Sequence, residues 1–295
     1  MAGAKRAVLI AGPTASGKSA LALATAREIG GIVINTDAMQ VYDVLRVVTA
    51  RPSEAEMAEV PHRLYGFVDP ATRFSTGAWL SAAGRTIAEN DCRPLIFVGG
   101  TGLYFDALEG GFAEVPPVPA DIVAKVEREL EGLDSEGRGR LLKARDPEMA
   151  ARLQAPDPQR VTRALAVLAA TGQSLARFQD RTQQGLLDGF SVERIVLDPD
   201  RELLRERIAT RFGRMFEEGA VEEVRALLTL ELDPSLPAMK AIGVREIAGW
   251  LAGEIGEDEA IERAVIATRQ YAKRQRTWFR NRMSGWRFLD PAATK

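Results

Sequence analysis

Ala11-Gly12-Pro13-Thr14-Ala15-Ser16-Gly17-Lys18-Ser19 is the stretch that decides the fold. An apolar run, Ala7-Val8-Leu9-Ile10, leads into it, and helix-forming residues from Ala20 to Glu28 follow at once. Strand, glycine loop and helix start, in that order, make a phosphate-binding loop of the Gly-x-x-x-x-Gly-Lys-Ser type. Gly12 and Gly17 let the chain turn so that successive N–H groups and the positive end of the helix converge on one anion. Lys18 adds a mobile full charge and Ser19 a hydroxyl suited to Mg²⁺. Gly12 through Ser19 therefore read as a polyphosphate cradle, with a nucleoside triphosphate as the default ligand. The fold class expected around it is α/β: a P-loop NTPase-like parallel sheet flanked by helices.

The rest of the composition narrows the chemistry. With 295 residues, 46% of them hydrophobic, the chain can bury the core of one large α/β domain or of a domain with an insertion. No run of about 18 apolar residues occurs, and residues 1–6 leave no room for a signal-peptide core, so a cytoplasmic protein is expected. One cysteine, Cys92, excludes an intrachain disulfide and a cysteine-based metal cluster. One histidine, His62, excludes His-pair metal sites and argues against a His-centred triad. The net charge of −2 conceals a segregation: Arg263 to Leu289 holds eight Lys or Arg and no Asp or Glu.

Read in order, the chain brings further groups to the edge of the sheet where a P-loop lies. Ile32-Val33-Ile34-Asn35 reads as a buried strand with Thr36-Asp37-Ala38-Met39-Gln40 at its carboxyl end, where ligands bind in open parallel sheets. Asp37 there is either a reactive carboxylate or a helix N-cap. Thr49–Pro52 and Val60–Leu64 read as loops, residues 76–90 as a helix, and Arg93–Val98 as a third strand running into Gly99-Gly100-Thr101. An ordinary NTPase would be expected to place an acidic residue there for its Mg²⁺ shell.

Gly110-Gly111 and Pro116-Pro117-Val118-Pro119 mark a boundary, after which residues 120–180 show only helical patterns. The expected organisation is 1–112 as the first part of the P-loop core, 113–185 as an all-helical insertion domain, and 186–295 as the second part with basic helices. In the insertion, Asp157-Pro158 starts a helix carrying Arg160 and Arg163 on one face, either a binding surface or a solvated one. Residues 192–197 read as a fourth strand. The helix after it aligns Arg207, Arg211 and Arg214, which either reach the phosphates or pair with neighbouring glutamates. Near the end, Arg269, Lys273, Arg276 and Arg280 share one stripe of a helix with Tyr271, Trp278 and Phe279 opposite, as expected of a helix that packs on one side and meets nucleic-acid phosphates on the other.

Six stretches in sequence order carry a resemblance to the tRNA dimethylallyltransferases, also called tRNA isopentenyl transferases. They are the P-loop, Asp37-Ala38-Met39-Gln40-Val41-Tyr42, Val98 to Tyr104, Asp157-Pro158-Gln159-Arg160-Val161-Thr162-Arg163-Ala164-Leu165, Ala241-Ile242-Gly243-Val244-Arg245-Glu246-Ile247, and Gln270 to Arg280. The resemblance runs from the first strand to about Met283. It implies transfer of a dimethylallyl group from dimethylallyl diphosphate to the exocyclic amine of the adenosine 3′ of the anticodon, on an anticodon stem-loop, with Mg²⁺ near Ser19. A monomer is expected, because no long apolar stripe is left over once the core is assigned. The resemblance further implies Asp37 as the base, Thr101 at the bridging oxygen, and Lys18 and Arg211 on the leaving diphosphate. Asp37, Ala38, Met39, Gln40, Thr101, Gln159, Arg160, Val161, Thr162, Arg163, Arg245, Arg269, Lys273, Arg276 and Arg280 would be the tRNA contacts. Ala38 stands where the family usually has serine, Val48–Pro52 where it has Gly-Thr-Ala-Lys-Pro, and Val244-Arg245 where it has Tyr-Lys. The alternatives are an ATP-dependent small-molecule kinase, a nucleic-acid-binding ATP switch, and prenyl transfer to free adenylate.

Overall fold

The structure, a computed structural model, describes residues 5–90, 92–153, 156–181 and 184–292; the first four residues of the segment 1–6 discussed above lie outside the described residues. It divides into two compact units, Gly110–Gly185 and the remainder of the chain.

In the larger unit the central strands are buried on both faces, which is why they read as continuous apolar runs instead of alternating ones. Strands β1 (Arg6–Ala11), β2 (Ile32–Asn35), β3 (His62–Arg63), β4 (Leu95–Gly99), β5 (Ser191–Leu197) and β6 (Arg287–Leu289) form one sheet in the order β3-β2-β4-β1-β5-β6, every pair parallel. Ala7, Leu9, Ala11, Ile32, Ile34, Leu95 and Phe97 enter one core. Their sequence neighbours Val8, Ile10, Val33, Ile96 and Val98 enter the other, as a period of two demands. That second face is covered by α1 (Lys18–Ile29) through Ala22 and Ala26.

The opposite face is the thicker one. After the short α2 (Glu54–Glu59), α3 (Thr76–Glu89) lays Trp79, Ala83 and Ile87 on it, and α4 (Gly102–Gly110) adds Tyr104, Phe105 and Leu108. The regular elements of the smaller unit, among its described residues, are all helices: α5 (Ala120–Leu130), α6 (Ser135–Arg145), α7 (Pro147–Arg152), α8 (Pro158–Thr171) and α9 (Leu175–Gln179) close around Val126, Leu142, Val161, Leu165 and Phe178. Asp157 caps α8, its carboxylate accepting the Arg160 N–H at 3.2 Å, with Pro158 in the first turn. The larger unit then completes its thick face with α10 (Arg201–Glu217), α11 (Ala220–Leu228), a 3₁₀ turn (Ala238–Lys240), α12 (Val244–Leu251) and α13 (Glu257–Arg282).

Two strands were not foreseen. The segment Val60–Leu64, read as a loop, contains β3, and the stretch after α13 contains β6. Both are edge strands of two or three residues, too short to show a period of two. Register is what matters for the site: Ala11 lies opposite Gly99 and Val196, and Asn35 opposite Val98. The carboxyl ends of β1, β2, β4 and β5 are level, so the residues that follow them share one edge.

Candidate active site

The P-loop turns as its sequence requires. Gly17 sits at φ +92°, Ala15 is also left-handed at φ +64°, and Ser16 N–H closes the turn on the Pro13 carbonyl at 3.2 Å. Such alternation points successive N–H groups inward as an anion nest. Lys18 lies within this loop, its ammonium 3.4 Å from the Pro13 carbonyl. Burial lowers its pKa to about 8, against the opposing pull of the Asp37 carboxylate and with a smaller push from Arg211. Ser19 is exposed at the start of α1 and lines the same cavity.

Asp37 does not cap a helix. Asn35, fully buried, grips its backbone: Asn35 Nδ2 donates to the Asp37 carbonyl at 3.0 Å and to the Leu64 carbonyl at 2.9 Å, and Asn35 Oδ1 accepts the Asp37 N–H at 2.8 Å. The carboxylate Oδ1 accepts the Met39 N–H at 3.0 Å, leaving Oδ2 toward the Gly100 side. Thr101 holds the next residue, its Oγ1 accepting the Ala38 N–H at 2.9 Å. Gln40 is committed to the protein, donating to the carbonyls of Thr49 and Ala50 at 2.9 and 2.8 Å. It shapes the wall of the cavity and offers its amide elsewhere.

Arg211, from α10, reaches the P-loop and donates to Thr14 Oγ1. Burial lowers its pKa and the Asp37 carboxylate opposes that shift. Arg207, Arg211 and Arg214 all line the cavity with the P-loop, so this stripe faces that loop, whereas Arg205 pairs with Glu202 at 2.9 Å. Two lobes meet here. The P-loop lobe, about 920 Å³, is lined by Thr14 to Ser19, Asp37 and the three arginines. The second, about 300 Å³, carries Ala38, Met39, Val48, Phe212, Ala241, Ile242 and Tyr271. Thr14, Asp37, Thr49, Arg211 and Met215 belong to both. A carboxylate thus stands on the wall common to a cationic lobe and a largely apolar one.

Two residues of the site carried no role in the sequence reading. Tyr271, on the inward face of α13, lies beside Thr101 and Gln275, and burial followed by the Asp37 charge raises its phenol pKa. Gln275, one turn later and 5% exposed, accepts the Thr14 N–H and donates to the Gly100 carbonyl, both at 2.9 Å. A glutamine amid Lys and Arg in Lys273-Arg274-Gln275-Arg276 reads as one more side chain facing water. Only its i, i+4 spacing from Tyr271, on the apolar side of the helix, placed it inward.

The cationic stripe of α13 is real but not free of acid. Arg269, Lys273, Arg276 and Arg280 line a groove of about 450 Å³ against Arg201 and Arg205 of α10. Asp198, just past β5 and 14% exposed in its side chain, pairs with Arg276 at 2.6 Å and Arg280 at 2.8 Å. The acid comes from a strand 78 positions before Arg276 (276 − 198), so no local count of charge could have included it. Arg245 is exposed on the first turn of α12 and lines neither lobe. In the smaller unit Gln159, Arg160 and Arg163 are exposed and Thr162 is half-buried. Val161 is fully buried in that unit's core, which corrects its reading as a side-chain contact for RNA: it is the apolar position that seats α8.

The donor set suits a magnesium ion carried by substrate. Among the described residues no three His, Cys, Asp or Glu side chains gather as a metal site, and Ser19 offers one exposed hydroxyl beside the anion nest. Mg²⁺ keeps several waters and takes phosphate oxygens readily, so one protein ligand is compatible with it. No helix among the described residues is long and apolar enough to cross a membrane.

Comparison with known proteins places the chain. A profile described as IPP transferase matches residues 40–282, and one described as isopentenyl transferase matches residues 5–70. A tRNA dimethylallyltransferase of Allorhizobium ampelinum is 52% identical over 294 residues, covering 98% of this chain and 96% of that protein. One from a Methylobacterium species is 53% identical with the same coverage. Among solved structures, a full-length tRNA isopentenylpyrophosphate transferase from Bacillus halodurans superposes with a TM-score of 0.68 at 32% identity, over 97% of this chain and 90% of the other. A eukaryotic dimethylallyltransferase acting on tRNA superposes with a TM-score of 0.81 at 27% identity, over 97% of this chain and 74% of the other. With a cationic phosphate lobe, a shared carboxylate and these relatives over nearly its whole length, the chain belongs to the IPP transferase family, the tRNA dimethylallyltransferases.

Proposed function

We propose that the chain transfers the dimethylallyl group of dimethylallyl diphosphate to the exocyclic amine of the adenosine 3′ of the anticodon in tRNA, releasing diphosphate. The observation that carries this reading is Asp37 on the wall between the two lobes, with Lys18 and Arg211 on its phosphate side. As the amine nitrogen bonds to the allylic carbon, the carbon–oxygen bond breaks and its electron pair leaves with the diphosphate. The P-loop N–H groups, Lys18 and Arg211 meet the charge that grows there. Thr101, whose hydroxyl holds the Ala38 N–H next to Asp37, would contact the bridging oxygen. An arylamine has almost no basicity, but when its lone pair has bonded to carbon the nitrogen is a cation and strongly acidic, so a carboxylate within reach takes its proton. Asp37 is that carboxylate. Ser19, exposed beside the anion nest, would help to hold Mg²⁺, which would supply charge neutralisation on the leaving group.

A base inside an RNA loop reaches such a cavity only by leaving its stack. The apolar lobe, with Ala38 and Met39 on one wall and Tyr271 on another, suits an unstacked purine. Phosphates of the stem-loop meet Arg269 and Lys273 of the larger unit, with Arg276 and Arg280 beside them. In the smaller unit the exposed Gln159, Arg160 and Arg163, with Thr162, and in the larger unit Arg245, are further candidate tRNA contacts. The protein acts as a monomer.

The test is incorporation of label from dimethylallyl diphosphate into unmodified tRNA with Mg²⁺, beside an ATP-hydrolysis assay. Label in tRNA with ATP untouched is the expected result. ATP turnover without prenyl transfer would overturn the reading in favour of a small-molecule kinase.

A further inference from the structure

Gln275 is a buried polar side chain that the reaction as described does not use, and it touches both halves of the site. Its Oε1 accepts the N–H of Thr14, the residue whose hydroxyl receives Arg211. Its Nε2 donates to the carbonyl of Gly100, next to Thr101, whose hydroxyl holds the Ala38 N–H and with it the Asp37 turn. One amide therefore spans the leaving-group side and the base side.

The neighbouring sequence is adapted to it. A Cβ on Gly100 would lie 2.1 Å from Gln275 Nε2, so glycine is what lets the amide approach. The Thr14 N–H, spent on Gln275, is withdrawn from the anion nest, which leaves the cradle to the following residues. Both bonds sit in a buried site, where an unpaired backbone group is costly and geometry is held tightly. Tyr271 lies one turn before Gln275 on the same inward face, while Lys273 and Arg276 of the same helix turn toward the cationic groove.

We propose that Gln275 is a positioning residue: its side-chain amide, bonded to Thr14 N–H and Gly100 O, fixes Arg211 and Asp37 relative to one another across the two lobes. It touches no reacting atom. Its effect falls on turnover and leaves tRNA affinity alone. The inference rests on the prenyl-transfer reading above, and wild-type transfer is measured alongside so that the two can fail separately.

Gln275→Leu removes both bonds. At saturating tRNA and dimethylallyl diphosphate its turnover should fall about 10- to 100-fold, the size expected of a small misplacement of reacting groups, with KM for tRNA unchanged. Gln275→Glu discriminates position from mere packing. Ionised, it cannot donate to Gly100 O and stands near the Asp37 carboxylate; protonated, it restores one donor and one acceptor in the amide's pattern. Burial and Asp37 raise the pKa of the introduced acid, Lys18 and Arg211 oppose that, and the Tyr271 phenol stays neutral. The ratio of Gln275→Glu to wild-type turnover should then rise several-fold as pH falls from about 8 to about 6. A Gln275→Leu turnover within twofold of wild type, or a pH-independent ratio for Gln275→Glu, would overturn the proposal. Absence of transfer by the wild type would instead overturn the reading beneath it.

Discussion

The lowered pKa of Lys18 gives the donor site a pH dependence that can be worked out beforehand. A lysine is cationic below its pKa, so near neutrality Lys18 carries its charge and above about 8 it loses it. A bound diphosphate stabilises the charged form, hence affinity for dimethylallyl diphosphate is full below pH 8 and declines as pH rises through it. With a pKa of about 8 the protonated fraction drops from about one-half at pH 8 to about one-thirtieth at pH 9.5. The dissociation constant should therefore rise about 15-fold over that interval, near 1.6 kcal/mol at about 1.4 kcal/mol per decade. The terminal phosphate is already fully ionised there, its second pKa being about 6. Titration calorimetry with dimethylallyl diphosphate and no tRNA measures binding without turnover. Lys18→Arg keeps its charge throughout and should bind with no such decline. Wild-type affinity that stays flat from pH 8 to 9.5, or an equal decline in Lys18→Arg, would refute both the burial argument and the placement of Lys18 on the diphosphate.

Asp37→Asn keeps an oxygen for the Met39 N–H and so the shape of the turn, yet offers no base; turnover should fall by about 10²–10⁴ with KM for tRNA nearly unchanged, as single-turnover transfer would measure. Arg269→Glu with Lys273→Glu reverses the two stripe cations that have no ion-pair partner among the described residues; filter binding across a salt series should show weaker tRNA binding and a slope reduced by about 2, and an unchanged slope would make the stripe a plain surface. Gly102→Ala would set a Cβ 2.1 Å from the Trp278 ring and should cost about 1–3 kcal/mol in a denaturant melt, a loss that Trp278→Leu in the same chain would largely return.

The parts of the protein visible in the sequence are those whose signal is local. Gly12 to Ser19 announce themselves because a nest needs glycine at fixed offsets, and the central strands because two-sided burial leaves them uniformly apolar. The Arg207, Arg211 and Arg214 stripe was visible as a stripe, but its direction was not: glutamates on the same helix could have taken all three, and only packing on the sheet turned them to the P-loop. Asp198 escaped for a related reason, since its partners lie on a helix far along the chain. Asn35 looked like the polar end of a strand, while its three hydrogen bonds, which hold Asp37 in place, depend on contacts with Leu64 and a turn that no period predicts. Val161 shows the converse: it stands inside a strongly patterned stretch, and its work is to fill a core.

The glycines after β4 explain why the carboxylate of this site hangs from β2. A Cβ on Gly99 would lie 2.2 Å from the backbone carbonyl of Thr36, and one on Gly100 would meet the Gln275 amide. An acidic side chain at either position, where a P-loop phosphotransferase would keep one, has no space. The close approach has a return: with no side chain in the way, Thr101 N–H reaches the Thr36 carbonyl at 3.1 Å and its hydroxyl reaches Ala38, so the strand end that lost an acid became the clamp for the acid next door. Held there, Asp37 faces both lobes, which a carboxylate sequestered at the end of β4 beside a metal would not do. A phosphotransferase needs its charge on the phosphate; a prenyl transfer needs it where the incoming nitrogen sheds a proton, on the far side of the carbon from the diphosphate. On the proposed reading, a carboxylate that follows the neighbouring strand, with backbone packed where a phosphotransferase would keep its acid, lets the same loop and sheet serve the second reaction.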